Sequence, residues 1–315
     1  MSYRDSLPFD DGALWLTDAG METVLIFELG HDLPSFATFP LLEDDAGREA
    51  LRRYYEPFLA LARERGTGFV LGANTWRASA AWGAGLGYDA AAMAAVNRRA
   101  IAFVEELRAS CPATQPPVLL EAPIGPRGDA YAPSSLMTAG AAQRYHSTQL
   151  ETLADTPVEL LTALTLAYAD EAIGMTRAAG EAGLPIAISF TVETDGRLPS
   201  GQSLRAAIEQ VDAETDGAPV HYLINCAHPA HFTGALAEGG PWRDRLRGLR
   251  ANSSTRSHAE LDDADELDQG DPDDLAERHV VLRDLLPQLA VLGGCCGTDI
   301  RHVTRMADVW LAAGA

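Results

Sequence analysis

No lysine occurs in this sequence; all 24 of its basic residues are arginine. A Schiff base needs a lysine amine, so class I aldolase and pyridoxal-phosphate chemistry are excluded by that one absence. Positive charge is scarce overall: 24 arginines face 45 aspartates and glutamates, for a net charge of −21. Phosphate backbones are bound by a positive footprint, so nucleic acid is not an expected partner. No apolar run approaches the roughly 18 residues of a membrane span, so no membrane contact is expected. The opening MSYRDSLPFDDGA lacks a basic segment followed by an apolar one, so no secretory signal is expected either. The chain reads as cytoplasmic. Cysteine is rare too, at four residues: Cys111, Cys226, Cys295 and Cys296. In a reducing compartment these are not disulfide staples, and their spacing matches no zinc-finger pattern.

What is present is a rhythm. Short apolar runs recur at ALWLTDAG (13–20), GFVLGAN (68–74), PVLLEAP (117–123) and VELLTALTL (158–166), then at LPIAISF (184–190), HYLINCA (221–227), LRGLRAN (246–252) and LAVLGGC (289–295). Near-continuous apolar runs suit strands buried on both faces of a parallel sheet. Between them, residues 47–66, 91–110, 168–183, 203–211 and 302–314 carry apolar residues at helical spacing. Eight strand–helix units predict an α/β chain folded as one (β/α)₈ TIM barrel over residues 1–315. A doubly wound open sheet is the alternative, but no glycine fingerprint follows the first run. The carboxylate-rich stretch around 256–280 is expected to be an acidic helical or loop insertion, solvated outside the barrel.

Active sites of such barrels lie at the C-terminal ends of the strands. Cys226 ends the sixth run, and Cys295 with Cys296 ends the eighth, so the fold would gather three thiols at one mouth. Cys111 ends a helix on the opposite face and is read as a bystander. Three thiolates make a tetrahedral zinc set with one position open. Gly293, Gly294 and Gly297 would let the backbone turn both sulfurs inward. A strained disulfide between neighbours and a pair of inert buried cysteines remain as alternatives. Three thiolates leave zinc a weak Lewis acid, ill suited to water activation but suited to holding a substrate thiol as a nucleophile. The chemistry implied is S-alkylation.

The motifs then meet a known pattern. LTDAGMET (16–23), GANTWRAS (72–79), IGPRGDAY (124–131), ISFTVETDGRLPSGQSL (188–204), INCAHP (224–229) and GGCCGTD (293–299) together resemble the homocysteine S-methyltransferase family across nearly the whole chain. The resemblance implies a zinc barrel that methylates a zinc-bound thiol, homocysteine in most members, from a small onium donor such as S-methylmethionine or a betaine. It implies Zn²⁺ on Cys226, Cys295 and Cys296, with no catalytic group beyond the thiolate so activated. It assigns Asp18 to the substrate amino group and the backbone of Gly20 and Met21 to the carboxylate. Asn74, Thr75 and Asn252 match further substrate-binding motif positions. The expected partners are a small-molecule thiol acceptor and a methyl donor.

Two departures stand out. Leu164 occupies the place of a family glutamate that grips the amino group alongside the aspartate, and one lost charge-assisted contact costs roughly 1.5–3 kcal/mol. Glu121 is the candidate substitute. In GLRANSSTRSHAE (248–260), Asn252 aligns with the family asparagine, but the flanking tyrosine and proline are gone. The acceptor, the donor or both are therefore expected to differ. Trp76 and Trp82 could hold a methylated cation by cation–π contact. Two other classes compete: a metal hydrolase with His228 and His231 as its best candidates, and a thiol redox protein using Cys295 and Cys296.

Overall fold

The computed structural model describes residues 3–9, 12–133 and 135–314. Its eight strands form a closed parallel barrel in chain order, β8 pairing back onto β1. They are β1 (Trp15–Leu16), β2 (Gly68–Gly72), β3 (Val118–Ile124) and β4 (Leu160–Leu166). The second half comprises β5 (Ile186–Phe190), β6 (Tyr222–Asn225), β7 (Leu246–Ala251) and β8 (Val291–Gly294). Seven fall within one of the eight apolar runs and β3 ends one residue past its own, so the barrel is observed and the open sheet is not.

After β1 come α1 (Met21–Thr23) and α2 (Asp45–Arg65). The short α3 (Ala80–Gly85) precedes α4 (Ala90–Ser110), and α5 (Ala139–Ala154) follows β3. The later units contribute α6 (Ala169–Glu181), α7 (Leu204–Thr215) and α8 (Pro229–Ala237). The last are α9 (His258–Asp262), α10 (Pro272–Leu285) and α11 (Ile300–Gly314). Side-chain caps fix several starts, as local sequence dictates: Asp44, Asp89, Thr138 and Ser203 each accept from a backbone N–H three residues on. The acidic stretch divides. Ser257 and Glu260 form a capping box on α9, and α10 buries Leu275, Ala276, His279 and Leu282.

Strand alternation sorts side chains between two cores. Leu16, Phe69, Leu71, Leu120 and Leu161 face the helices. Trp15, Val70, Leu119, Leu160, Ala187, Leu223 and Val291 form a separate cluster with Phe9. This cluster fills the barrel near the strand N-termini and gives the opposite end a solid floor. Trp15 is accommodated because residue 68 is glycine; a Cβ there would lie 2.3 Å from the indole. No helix among the described residues is long and apolar enough to cross a membrane.

Candidate active site

Above that floor, at the C-terminal ends of the strands, lies a cavity of about 390 Å³, within the usual size range of small-molecule sites. Asp18, Gly20, Met21, Asn74, Cys226, Cys295 and Cys296 all line it. Thr75 and Asn252 do not. The Thr75 hydroxyl instead donates to the Pro123 carbonyl at 2.7 Å, and Asn252 lies by a second, smaller depression beside His231.

The three thiols meet because two loops are tightly built. Cys226 follows β6 directly with φ 54°, a strained value for a non-glycine residue. It is braced from several sides: its carbonyl accepts from Thr191 Oγ1 at 3.3 Å and bonds His258 Nε2 at 2.6 Å. Tyr131 donates to its Sγ at 3.0 Å and stacks on the His258 ring at 4.0 Å. On the other loop, the Cys295 N–H donates to Ala251 and the Thr298 hydroxyl to the Cys295 carbonyl. The flanking glycines serve mainly close approach, not turning: a Cβ on Gly293 or Gly294 would collide with Thr17 or Thr298. Only Gly297 of the three has a positive φ, 77°.

The sulfurs all lie within 4.8 Å of one another, and this is the metal-spaced group of His, Cys, Asp or Glu found among the described residues. Cys226 Sγ is 3.6 Å from Cys296 Sγ and 2.7 Å from Cys295 Sγ. Zinc–sulfur bonds of about 2.3 Å in a tetrahedron space sulfurs about 3.8 Å apart. The first pair thus already has metal spacing, and the second would open by about an ångström. Hydrogen bonds with Cys226 and Cys296 hold the Cys295 thiol well below its usual range, while its partners are pushed up. The donor set fits a thiophilic ion.

The rest of the cavity departs from the expected ammonium site. Both Asp18 oxygens are engaged within the chain: Oδ1 with Arg250 Nη2 at 2.5 Å and Oδ2 with the Tyr54 hydroxyl at 3.1 Å. Burial pushes the Asp18 carboxyl up, against the pull of Arg250. Glu121 does not take over the missing glutamate's place at the cavity wall. It is buried, accepts from Thr162 and lies 3.7 Å from Arg250 Nη1. Leu164 lines the cavity beside Thr165, whose φ of 62° marks a bulge in β4. Asn225 pins that bulge through bonds of 2.9 Å and 2.8 Å to the Thr165 N–H and hydroxyl. The backbone donors assigned to a carboxylate are also engaged, Gly20 N–H with Thr298 O and Met21 N–H with Ala19 O.

Trp76 and Trp82 hold a cation, but it belongs to the chain. The Arg77 guanidinium carbon lies 3.9 Å from one ring centroid and 3.8 Å from the other. One face of each ring is thereby taken by the chain's own cation, while both rings line the cavity. Burial pulls the Arg77 guanidinium down to about 10. Glu22 also lines the cavity, its carboxyl pushed up to about 7 by burial. His228 and His231 are absent from the lining: His228 caps α8 and His231 bonds the Thr255 carbonyl. Arg77, Arg250, Tyr131 and His258 carry no motif signal that marks them as site residues. Arg250 lies in the stretch that departs from the family pattern, and Arg77 lies within GANTWRAS.

A family model described as homocysteine S-methyltransferase matches residues 15–310. Among solved structures, the metallated form of the Escherichia coli homocysteine methyltransferase MmuM superposes with a TM-score of 0.73 at 20% identity, over 95% of this chain and 97% of that one. Its oxidized form gives 0.72 at 21% identity, over 97% and 98%. At these identities the structural likeness speaks for the fold. No curated protein sequence matches the chain significantly.

Proposed function

The chain belongs to the homocysteine S-methyltransferase family, and from that premise we propose a zinc-dependent transfer of a methyl group from a small onium donor, such as S-methylmethionine or a betaine, to the thiol of homocysteine, giving methionine. The convergence of Cys226, Cys295 and Cys296 at the floored end of the barrel carries this reading. Held by these thiolates, zinc would lower the pKa of an acceptor thiol while leaving its sulfur nucleophilic.

The chain's own residues supply the rest. Tyr131 and His258 fix the Cys226 loop, and Thr298 fixes the Cys295 loop, so the sulfurs are placed before substrate arrives. Met21, Phe36, Leu164, Trp76 and Trp82 give the cavity an apolar wall, which excludes water from a nucleophile that hydration would blunt. Glu22, pushed up to about 7, can take or hold a proton in this cavity near neutral pH. A water-activating hydrolase finds less support, since neither His228 nor His231 reaches the cavity.

The same transfer to another thiol is the second reading, and Arg250 favours it. It occupies Asp18, the carboxylate that would hold a substrate ammonium, while Leu164 supplies no second one. The test is metal analysis and turnover on the wild type and Cys296→Ser. The expected result is zinc in the wild type and joint loss of zinc and methyl transfer in the variant. Retained turnover would overturn the mechanism. A zinc-free wild type with a reversible two-electron couple at Cys295 and Cys296 would favour redox chemistry instead.

A further inference from the structure

Arg77 is anomalous as a structural arginine. It is 9% exposed, lines the catalytic cavity, and forms no ion pair among the described residues. Its Nε and Nη1 have no hydrogen-bond partner. Glu22 and Asp129 are near enough to favour its charge, as are Tyr131 and Cys226, yet neither carboxylate bonds it. Asp129 Oδ1 is turned instead to the backbone of Tyr131 and Ala132. Buried guanidinium N–H groups without acceptors are costly, and a stacked, planar fork is the form in which arginine recognises carboxylates. The two tryptophans hold that fork rigid. Meanwhile the Gly20 and Met21 N–H groups are already bonded within the chain.

We propose that Arg77, clamped between Trp76 and Trp82, is the anchor for the carboxylate of a substrate in this cavity and sets its preference for carboxylate-bearing ligands. The anchor rests on the thiol methyl-transfer reading above. The carboxylate could belong to the thiol or to the methyl donor; the recognition chemistry is the same. A cavity that has lost one ammonium acceptor at Leu164 and tied up another at Asp18 recognises its ligand by the anionic end.

Calorimetric titration of the zinc-loaded protein separates the cases. Among thiols, 4-mercaptobutanoate keeps only the carboxylate of homocysteine and 3-aminopropane-1-thiol only the ammonium. Among donors, S-methylmethionine is set against trimethylsulfonium. The expected result is a preference of about tenfold to a hundredfold for the carboxylate member of one pair, falling to within about twofold in Arg77→Gln. Preference in the thiol pair assigns the anchor to the acceptor, and in the donor pair to the donor. Equal binding within both pairs by the wild type overturns the proposal without any variant. So does a wild-type preference that Arg77→Gln leaves intact. Thiols that bind zinc-loaded protein regardless of Arg77 would leave the methyl-transfer reading standing, whereas no zinc and no thiol binding would remove both.

Discussion

Removing Arg250 would strand two carboxylates inside the barrel. Its guanidinium bridges Asp18 at 2.5 Å and Glu121 at 3.7 Å, and all three side chains are buried. Breaking a buried pair from one side costs about 3–5 kcal/mol, because the remaining charge keeps its desolvation penalty. Arg250→Met is therefore expected to lower unfolding free energy by about that amount, read by urea denaturation at neutral pH. The penalty should shrink in acid, where Asp18 and Glu121 can protonate. An unchanged midpoint would mean that the barrel relaxes around the carboxylates. The same residue explains why the surroundings of Asp18 could not be read from the motif stretches alone. Asp18 sits in a family-like motif, but its partner lies 232 positions away in a stretch legible only as a departure.

The loop after β8 is the element on which the proposed metal site depends most directly. Gly297 combines a positive φ of 77° with close packing: a Cβ would lie 2.2 Å from Ser253 Oγ and 2.6 Å from the Asp268 carbonyl. The hydroxyl could rotate away, but the carbonyl is backbone. Gly297→Ala is therefore expected to displace the Cys295–Cys296 segment, weakening zinc retention at least tenfold, since a shift worth 1.4 kcal/mol is already tenfold. Circular dichroism should still report an intact barrel, because the strands do not depend on this residue; normal zinc binding would refute the assignment. Strand positions were legible from apolar runs, although β1 contracts to Trp15–Leu16. The role of Gly293 and Gly294 was not legible, because close approach by Thr17 and Thr298 is a tertiary fact.

At the scale of the molecule, the floor of the barrel carries a pH dependence of its own. His221 is buried beside Phe9, ring centroids 5.1 Å apart, and burial lowers its pKa from 6.5 to about 3. The unfolded chain therefore binds the extra proton between those values, and stability falls as pH drops below 6.5. At pH 5 the loss from this residue is about 2 kcal/mol, at 1.36 kcal/mol per pH unit. Comparing wild type with His221→Gln at pH 7 and pH 5 should show a smaller acid loss in the variant; equal losses would mean that His221 does not titrate with unfolding. The sequence by itself determined the barrel and the three cysteines, because eight apolar runs need burial on both faces and the strand ends carry the thiols. It also marked Leu164 as standing where the family resemblance implies a glutamate. Tertiary structure alone decided that Arg250 occupies Asp18 and that Arg77 fills the tryptophan pair. Charge pairing and ring stacking depend on which side chains the closed barrel brings within a few ångströms, and residue spacing along the chain does not encode that.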